Sequence, residues 1–573
     1  MLCGFFRCYI QKVLIFRLNR ISWVVQIYLF MKYLLSICLG SFLFFSCKKD
    51  SISPLEIEYP ERPNIIWIVN EDMSPEHLGV YGGTGGKTPV LDSLAKAGVI
   101  FTNAFSTAGV CAPSRAALIT GAYQTSIGAM HMRTVGLSKG NEDAYPPGHK
   151  SYSAMIPEGM HGYPEYLRMA GYYTSNNVKE DYQFNAPGTM WDESSNTAHW
   201  RNRKDPNQPF FSIFNYTITH ESQVWARENE DLLVDPADVT VPPVYPDDSI
   251  TRRTLARFIT NVMRFDAQVG ELLQQLKDDG LYENTIIFYY SDHGDGMPYY
   301  KRELYDRGLR VPLFIKAPFI KPGSMDDQLV SFVDFGPTVL SLAGVKIPNN
   351  MQGQAFMGNQ KSEPRKYVYA ARDRMDSEVD RVRAVSDGRY KYIKNYMTDK
   401  ANYQNIRYRL SNPLMVHMLA LHDEGKLDKN QERWFDETKP EEELYDTKTD
   451  PYEFNNLAGN PDYADKLDEL RKAHLKWIED FGDMGALPEM EMVNKWWNGE
   501  DQAPTTSPAE VLFEDGKVSL SSATKGASIG FRKSASDVWS VYQFPFEMSA
   551  GDSLYVLAQR IGYEPSMEVV VVK

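Results

Sequence analysis

The chain has 573 residues, a formal net charge of −14 at pH 7, 43% hydrophobic and 24% charged residues. These proportions are those of a globular protein and exclude a disordered or fibrous chain. The acidic balance argues against a nucleic-acid binder while leaving room for a small basic pocket.

Residues 1–47 contain no Asp or Glu. From Met31, a better start than Met1, "MKYLLSICLGSFLFFSCKKD" reads as an export signal, with Lys32 as the positive end and Tyr33 to Phe45 as the apolar core. That core is shorter than the roughly 20 residues a membrane span needs. Ser46-Cys47 resembles a lipobox, so the expectation is an exported bacterial lipoprotein. A lipid on Cys47 would anchor it to the membrane, in the periplasm or at the outer-membrane or cell surface. An ordinary signal peptide cleaved elsewhere is the other reading. Residues 48–62 read as a polar linker.

The roughly 525 residues after Cys47 exceed one core and imply two or three domains. "NIIWIVN" (64–70), "YYTSNN" (172–177), "FFSIFNYT" (210–217), "NTIIFYY" (284–290) and "VPLFIKA" (311–317) read as buried strands. The segments 88–98, 158–171, 254–280 and 332–344 read as helices, each ending on Gly. The alternation predicts an α/β fold, a mixed, mostly parallel sheet between helices. In such sheets ligands bind beyond the carboxyl ends of the strands.

Those ends carry Glu71 and Asp72 after the first run, Lys179 after the second, His220 after the third, and Asp292 and His293 after the fourth, with Lys301 shortly behind. Singly they read as helix caps, turns and solvated charges. Together, their carboxylates suit a divalent cation such as calcium.

Five cysteines are present, and only Cys111 lies beyond residue 47, so the body of the protein has one thiol and no internal disulfide. "CAPSRAALITG" puts Cys111 at a helix start, where amide N–H groups and the dipole favour an anion. Arg115, one turn on, adds a charge-assisted contact.

Cys111-Ala112-Pro113-Ser114-Arg115 resembles the Cys-x-Pro-Ser-Arg signature of the type I sulfatases, members of the alkaline-phosphatase-like superfamily. The resemblance runs from about residue 62 to 460 and includes "LYDRGLRVPLFI" (304–315), "VSFVDFGPTVLSLAG" (330–344) and "ELYDTKTDPYEFNNLAGNP" (443–461). It implies a Cys111 oxidised by a maturase to Cα-formylglycine (3-oxoalanine). It also implies a calcium ion held by Glu71, Asp72, Asp292, His293 and residue 111, with Arg115, Lys179, His220 and Lys301 holding and protonating the sulfate. Two positions depart from the family. Glu71 replaces the usual Asp, and Asp181 stands where many sulfatases have His, two residues after the first lysine.

The spacing from Asp292 to Lys301 is similar to the N-sulfoglucosamine sulfohydrolase-like branch. A sulfated polysaccharide or oligosaccharide, O- or N-sulfated, is the implied substrate. His131 and Arg133, in "GAMHMRT" (128–134), could read a carboxylate or second sulfate, or could be plain loop polarity. Alternatives are a phosphodiester or phosphonate monoester hydrolase of the same superfamily, or a non-catalytic glycan-binding lipoprotein.

The expected layout is a catalytic domain over 63–375, a smaller α+β subdomain over 376–498 and a β-sandwich-like module over 505–573. The module reads as a packing cap ahead of a glycan-binding accessory.

Overall fold

The computed structural model describes residues 59–136 and 145–573. The signal segment, Cys47 and all but the end of the linker lie outside the described residues.

The central sheet comprises β1 (Asn64–Asn70), β2 (Val99–Phe105), β3 (Tyr173–Asn177), β4 (Glu193–Ser194), β5 (Phe210–Tyr216), β6 (Thr285–Ser291), β7 (Arg310–Lys316) and β8 (Ser324–Ser331). Their order is β4-β3-β5-β1-β6-β7-β2-β8. All neighbours pair in parallel except at β7, which runs antiparallel to both β6 and β2.

Alternation along β1 explains the unbroken apolar run. Ile66 and Ile68 enter one core while Ile65, Trp67 and Val69 enter the other. A strand buried on both faces has no polar side to show. Behind the first core lies a 30-residue helix, Ser249–Asp278, capped by Asp248, whose side chain accepts the N–H groups of Ile250 and Thr251. That cap starts the helix at Ser249, six residues ahead of the first residue of its apolar stripe. Leu255, Phe258, Val262, Phe265, Val269, Leu272 and Leu276 form the buried face.

A second, antiparallel sheet contains β9 (Val368–Arg372), β10 (Val382–Ser386), β11 (Tyr390–Asn395) and β12 (Glu442–Asp446), in the order β12-β11-β10-β9. The helix Ala464–Phe481 packs Leu467, Leu470 and Ala473 on Val385, Tyr392 and Leu444 of this sheet.

The C-terminal residues form two antiparallel sheets. One joins β13 (Ala509–Glu514), β14 (Lys517–Ser522) and β17 (Phe546–Glu547). The other joins β15 (Ser528–Arg532), β16 (Ser540–Val541), β18 (Ser553–Gln559) and β19 (Val569–Val572). Val518, Leu520, Leu554, Val556 and Ala558 fill the space between them. Thr506, in the preceding segment, is fully buried and donates its N–H to the Glu564 carbonyl at 2.8 Å.

Candidate functional site

The carboxyl ends of β1, β3, β5 and β6 bring their trailing residues to one edge. Asp72 follows β1 with φ of +60°, a left-handed conformation uncommon for a residue with a Cβ. Its backbone N–H donates to Asp292 Oδ1 at 3.2 Å, which ties the loop after β1 to the loop after β6. Gly296 must be glycine here, because an added Cβ would lie 2.5 Å from that of Asp72.

Asp72, Cys111, Asp292 and His293 form one cluster, with one ligand atom from each within 4.8 Å of the others and all four side chains buried, and Asp72 meets the same limit with His220 and Glu221. His293 Nε2 lies 2.8 Å from Asp72 Oδ1 and 3.5 Å from Cys111 Sγ. Cys111 is the first residue of the helix Cys111–Thr120, so its side chain sits against free amide N–H groups. Ser114 Oγ donates to the Asp292 carbonyl at 2.6 Å and fastens this helix to the loop after β6. Burial, reinforced by Asp292, pushes the Cys111 thiol above its ordinary pKa.

Burial alone would lower the pKa of His293, but Asp292 and Asp72 bring it up to about 10. Asp72 is held well below the carboxylate range, where Lys301, His220 and His293 overcome the cost of burial. Arg115 donates from Nε to Asp292 Oδ2 at 3.1 Å and from Nη1 to Asn215 Oδ1 at 2.7 Å. Glu71 stands outside the four-residue cluster. It pairs instead with Lys179 and lies 3.5 Å from Arg115. Asp181 lies 3.7 Å from Lys179, so the departure from the family adds a carboxylate beside that lysine.

Lys301 reaches Asp72 Oδ2 at 2.5 Å. Burial opposes its charge, yet its carboxylate neighbours, led by Asp72, raise its pKa and keep it an ammonium. His220 has the opposite balance: burial and then Lys301 lower its pKa. The Ser222 N–H lies 3.2 Å from His220 Nδ1 and donates to it, which fixes the neutral ring as the Nε2–H tautomer.

Sequence reading missed three contributors. Glu221 pairs with Lys301 at 3.2 Å and with Arg302 at 2.6 Å. Asn215 holds Arg115 from β5 and donates to Asn176 Oδ1 at 2.9 Å. Glu221 and Arg302 stand directly beside His220 and Lys301 in the chain, whereas Asn215 has no such neighbour.

The two substrate candidates separate. Arg133 is partly exposed, pairs with Asp376 at 2.7 Å and lies 5.0 Å from the centre of the Tyr408 ring. Tyr408 in turn faces His220, with ring centres 6.4 Å apart, so Arg133 stands on the rim of the site. His131 is buried away from it, with Nδ1 accepting the Arg374 N–H at 3.3 Å and lying 3.6 Å from Glu489.

Buried carboxylate oxygens of Asp72 and Asp292 with an imidazole suit a hard divalent cation. Asn70 Oδ1 and His293 Nδ1, buried beside them, have no hydrogen-bond partner among the described residues. The residues present therefore fit such an ion.

The Sulfatase family model matches residues 63–345, and the model "N-sulphoglucosamine sulphohydrolase, C-terminal" matches 294–408. Over 557 residues the chain is 45% identical to an "Ulvan-active sulfatase" of Formosa agariphila, covering 90% of this chain and 92% of that protein. The chain belongs to the sulfatase family. It is a sulfuric ester hydrolase, and its N-sulfoglucosamine sulfohydrolase-like character agrees with the sequence reading.

Solved structures share the sulfatase fold. BT1596, described as a 2-O GAG sulfatase, matches with a TM-score of 0.53 at 22% identity, over 74% of this chain and 93% of that one. A phosphonate monoester hydrolase from Silicibacter pomeroyi matches with a TM-score of 0.52 at 18% identity, over 74% and 96%. Both likenesses concern the fold.

Proposed function

We propose that this sulfatase removes sulfate from a sulfated polysaccharide or its fragments, with ulvan as the leading candidate, through formylglycine at position 111 and a calcium ion. The observation that carries the chemistry is the placement of Cys111. It opens a helix inside a Cys-x-Pro-Ser-Arg run and lies against Asp72 and His293. The glycan reading is supported by the 45% identical relative, whose name describes activity on ulvan.

The hydrated aldehyde at position 111 presents two hydroxyls. One would supply the nucleophile toward sulfur and the other, by reverting to the aldehyde, would release the sulfate, each hydroxyl proton passing to a neighbouring base or water. A serine or a thiol has no second group to do this. Lys179, Lys301 and Arg115 meet the charge on the sulfuryl oxygens. The Lys301 ammonium is the proton donor to the leaving oxygen or nitrogen, and His220 offers its Nε2–H beside it. A calcium ion held by Asp72, Asp292 and His293 would supply Lewis-acid stabilisation of the same charge.

In this reading the chain is exported, and the lipobox-like segment ending in Cys47 supports a lipid anchor. A formylglycine-generating maturase is its required partner. The test is to co-produce the two proteins and measure free sulfate from ulvan, heparan and chondroitin oligosaccharides beside a Cys111→Ala control. Release from ulvan, lost in the control, is the expected result. Silence on every glycan, with formylglycine confirmed by mass at position 111, overturns the substrate reading. Faster cleavage of a phosphonate monoester would favour the other superfamily activity.

A further inference from the structure

The C-terminal sandwich does more than cover a surface. It is fastened to the catalytic unit by side chains: Gln559 Oε1 accepts the Gly188 N–H at 2.8 Å, and His161 Nδ1 lies 2.9 Å from Ser528 Oγ. Ile561 joins the apolar core on one face of the central sheet. Between the docked module and the catalytic unit is a cavity of about 360 Å³.

The lining is polar and aromatic. Ser153 and Asn185 come from the catalytic unit, Trp497 and Gln502 from the segment leading out of the α+β region, and Arg560 and Tyr563 from the module. One cationic group there is unspent. Arg560 has no carboxylate within 4.0 Å among the described residues; its side chain donates to Tyr563 Oη at 3.1 Å and lies 4.6 Å from the centre of that ring. Trp497 is 7% exposed, and its indole N–H has no hydrogen-bond partner among the described residues. Two carboxylates also belong to the wall, Asp501, which Lys150 engages at 2.8 Å, and Glu564, so an anionic ligand must sit on the Arg560 side.

The cavity wall is tied through the chain to the rim of the active site. Val135, on its wall, follows Arg133 by two residues, and Thr134 accepts the Tyr152 N–H at 2.8 Å. Asn185 follows Lys179 by six residues, which extended backbone spans in at most about 20 Å. A chain of a few sugar units could therefore reach both places.

We propose that this cavity is a distal subsite for an anionic oligosaccharide. It would hold sugars beyond the one whose sulfate reaches position 111. Arg560 pairs there with a carboxylate or sulfate, and the amide side chains of Asn185 and Gln502 take hydroxyls. The proposal rests on the glycan-sulfatase reading of the active site.

Calorimetry tests it without turnover. Ulvan hexasaccharide and disaccharide are titrated into the Cys111→Ala protein and into Cys111→Ala with Arg560→Gln or Tyr563→Ala added. The expected result is hexasaccharide binding weakened about tenfold by either addition, with the disaccharide unchanged; tenfold corresponds to about 1.4 kcal/mol. Equal weakening at both lengths, no weakening at either, or no hexasaccharide binding overturns the subsite. Sulfate release by the wild-type enzyme reports separately on the sulfatase reading. A chain that binds hexasaccharide through Arg560 but releases no sulfate from it sinks that reading and leaves the subsite standing.

Discussion

Glu221 and Lys301 meet 3.2 Å apart in the interior, their side chains 4% and 2% exposed. The Glu221 N–H also donates to Asp72 Oδ2 at 2.6 Å, the oxygen that Lys301 reaches. Arg302 completes the arrangement by donating to both Glu221 carboxylate oxygens, at 2.6 and 3.2 Å. Burial opposes ionisation of Glu221, but Arg302 and Lys301 hold its pKa below the ordinary value. Its carboxylate thus fixes where the Lys301 ammonium stands.

We predict that Glu221→Gln, which keeps the shape and removes the charge, lowers the free energy of unfolding by about 3 kcal/mol, the cost of leaving a buried cation under-compensated. Its kcat should fall more than its KM rises, because Lys301 acts on the leaving group. Thermal unfolding and sulfate-release kinetics measure the two effects. Wild-type stability in this variant would rule out the bridging role.

A second prediction concerns the cation. Asp72 and Asp292 lie in one buried cluster, so an ion that binds only the folded state must stabilise it. Calcium at a hundredfold excess over its dissociation constant should add about 2.7 kcal/mol to the unfolding free energy. A chelator should remove both this gain and sulfate release. Asp292→Asn should show little calcium-dependent shift in Tm. An enzyme fully active in excess chelator would contradict the prediction.

His131 predicts a pH effect away from the catalytic cluster. Burial is the largest influence on it, followed by the opposing charge of Glu489, then Arg374 and His149, and the balance is a pKa lowered to about 4. A histidine with a depressed folded pKa contributes stability above its unfolded value, about 6.5, and loses it as pH falls towards 4. The full loss is about 3 kcal/mol, taking 1.36 kcal/mol per pKa unit. Glu489, also depressed, adds its own loss only below its unfolded value of 4.5. His131→Gln should therefore flatten the stability profile between pH 6.5 and 4.5 relative to wild type. Urea titrations at half-unit intervals would show it, and parallel profiles would refute it.

The sequence showed most clearly what burial on both faces writes into it. β1 and β6 stand out because both their faces are filled almost wholly with apolar residues, β5 because only Ser212 and Asn215 interrupt it and β3 by the tyrosines at its start, and the charges that follow those runs mark the site. β8 escaped because its first half is an exposed edge, with Met325 at 67% exposure beside Asp326 and Asp327. β2 escaped because Thr102 and Asn103 interrupt it where its pairing register shifts. The antiparallel course of β7 has no signature in an apolar run, which reads alike in either direction. The roles of Arg302 and Asn215 were not legible for another reason: their partners lie 81 and 100 residues away, and only the fold brings them together.

Docking of the C-terminal module depends on one backbone approach, which a single side chain should disrupt. Gly562 has φ of +89°, and an added Cβ would lie 2.4 Å from Met155 Cα and 2.8 Å from the Ala154 carbonyl oxygen. Neither backbone atom can rotate away. We predict that Gly562→Val costs about 1–3 kcal/mol in forced displacement, with the positive φ adding about 1 kcal/mol. The neighbouring Ile561 would be drawn from the catalytic core with it. Because the contact joins two units with separate apolar cores, the loss should appear as an early, separate transition in calorimetry. Faster protease cleavage between residues 499 and 508 should accompany it, with the catalytic unit left intact. A single unshifted transition and unchanged protease resistance would show that this approach does not hold the module in place.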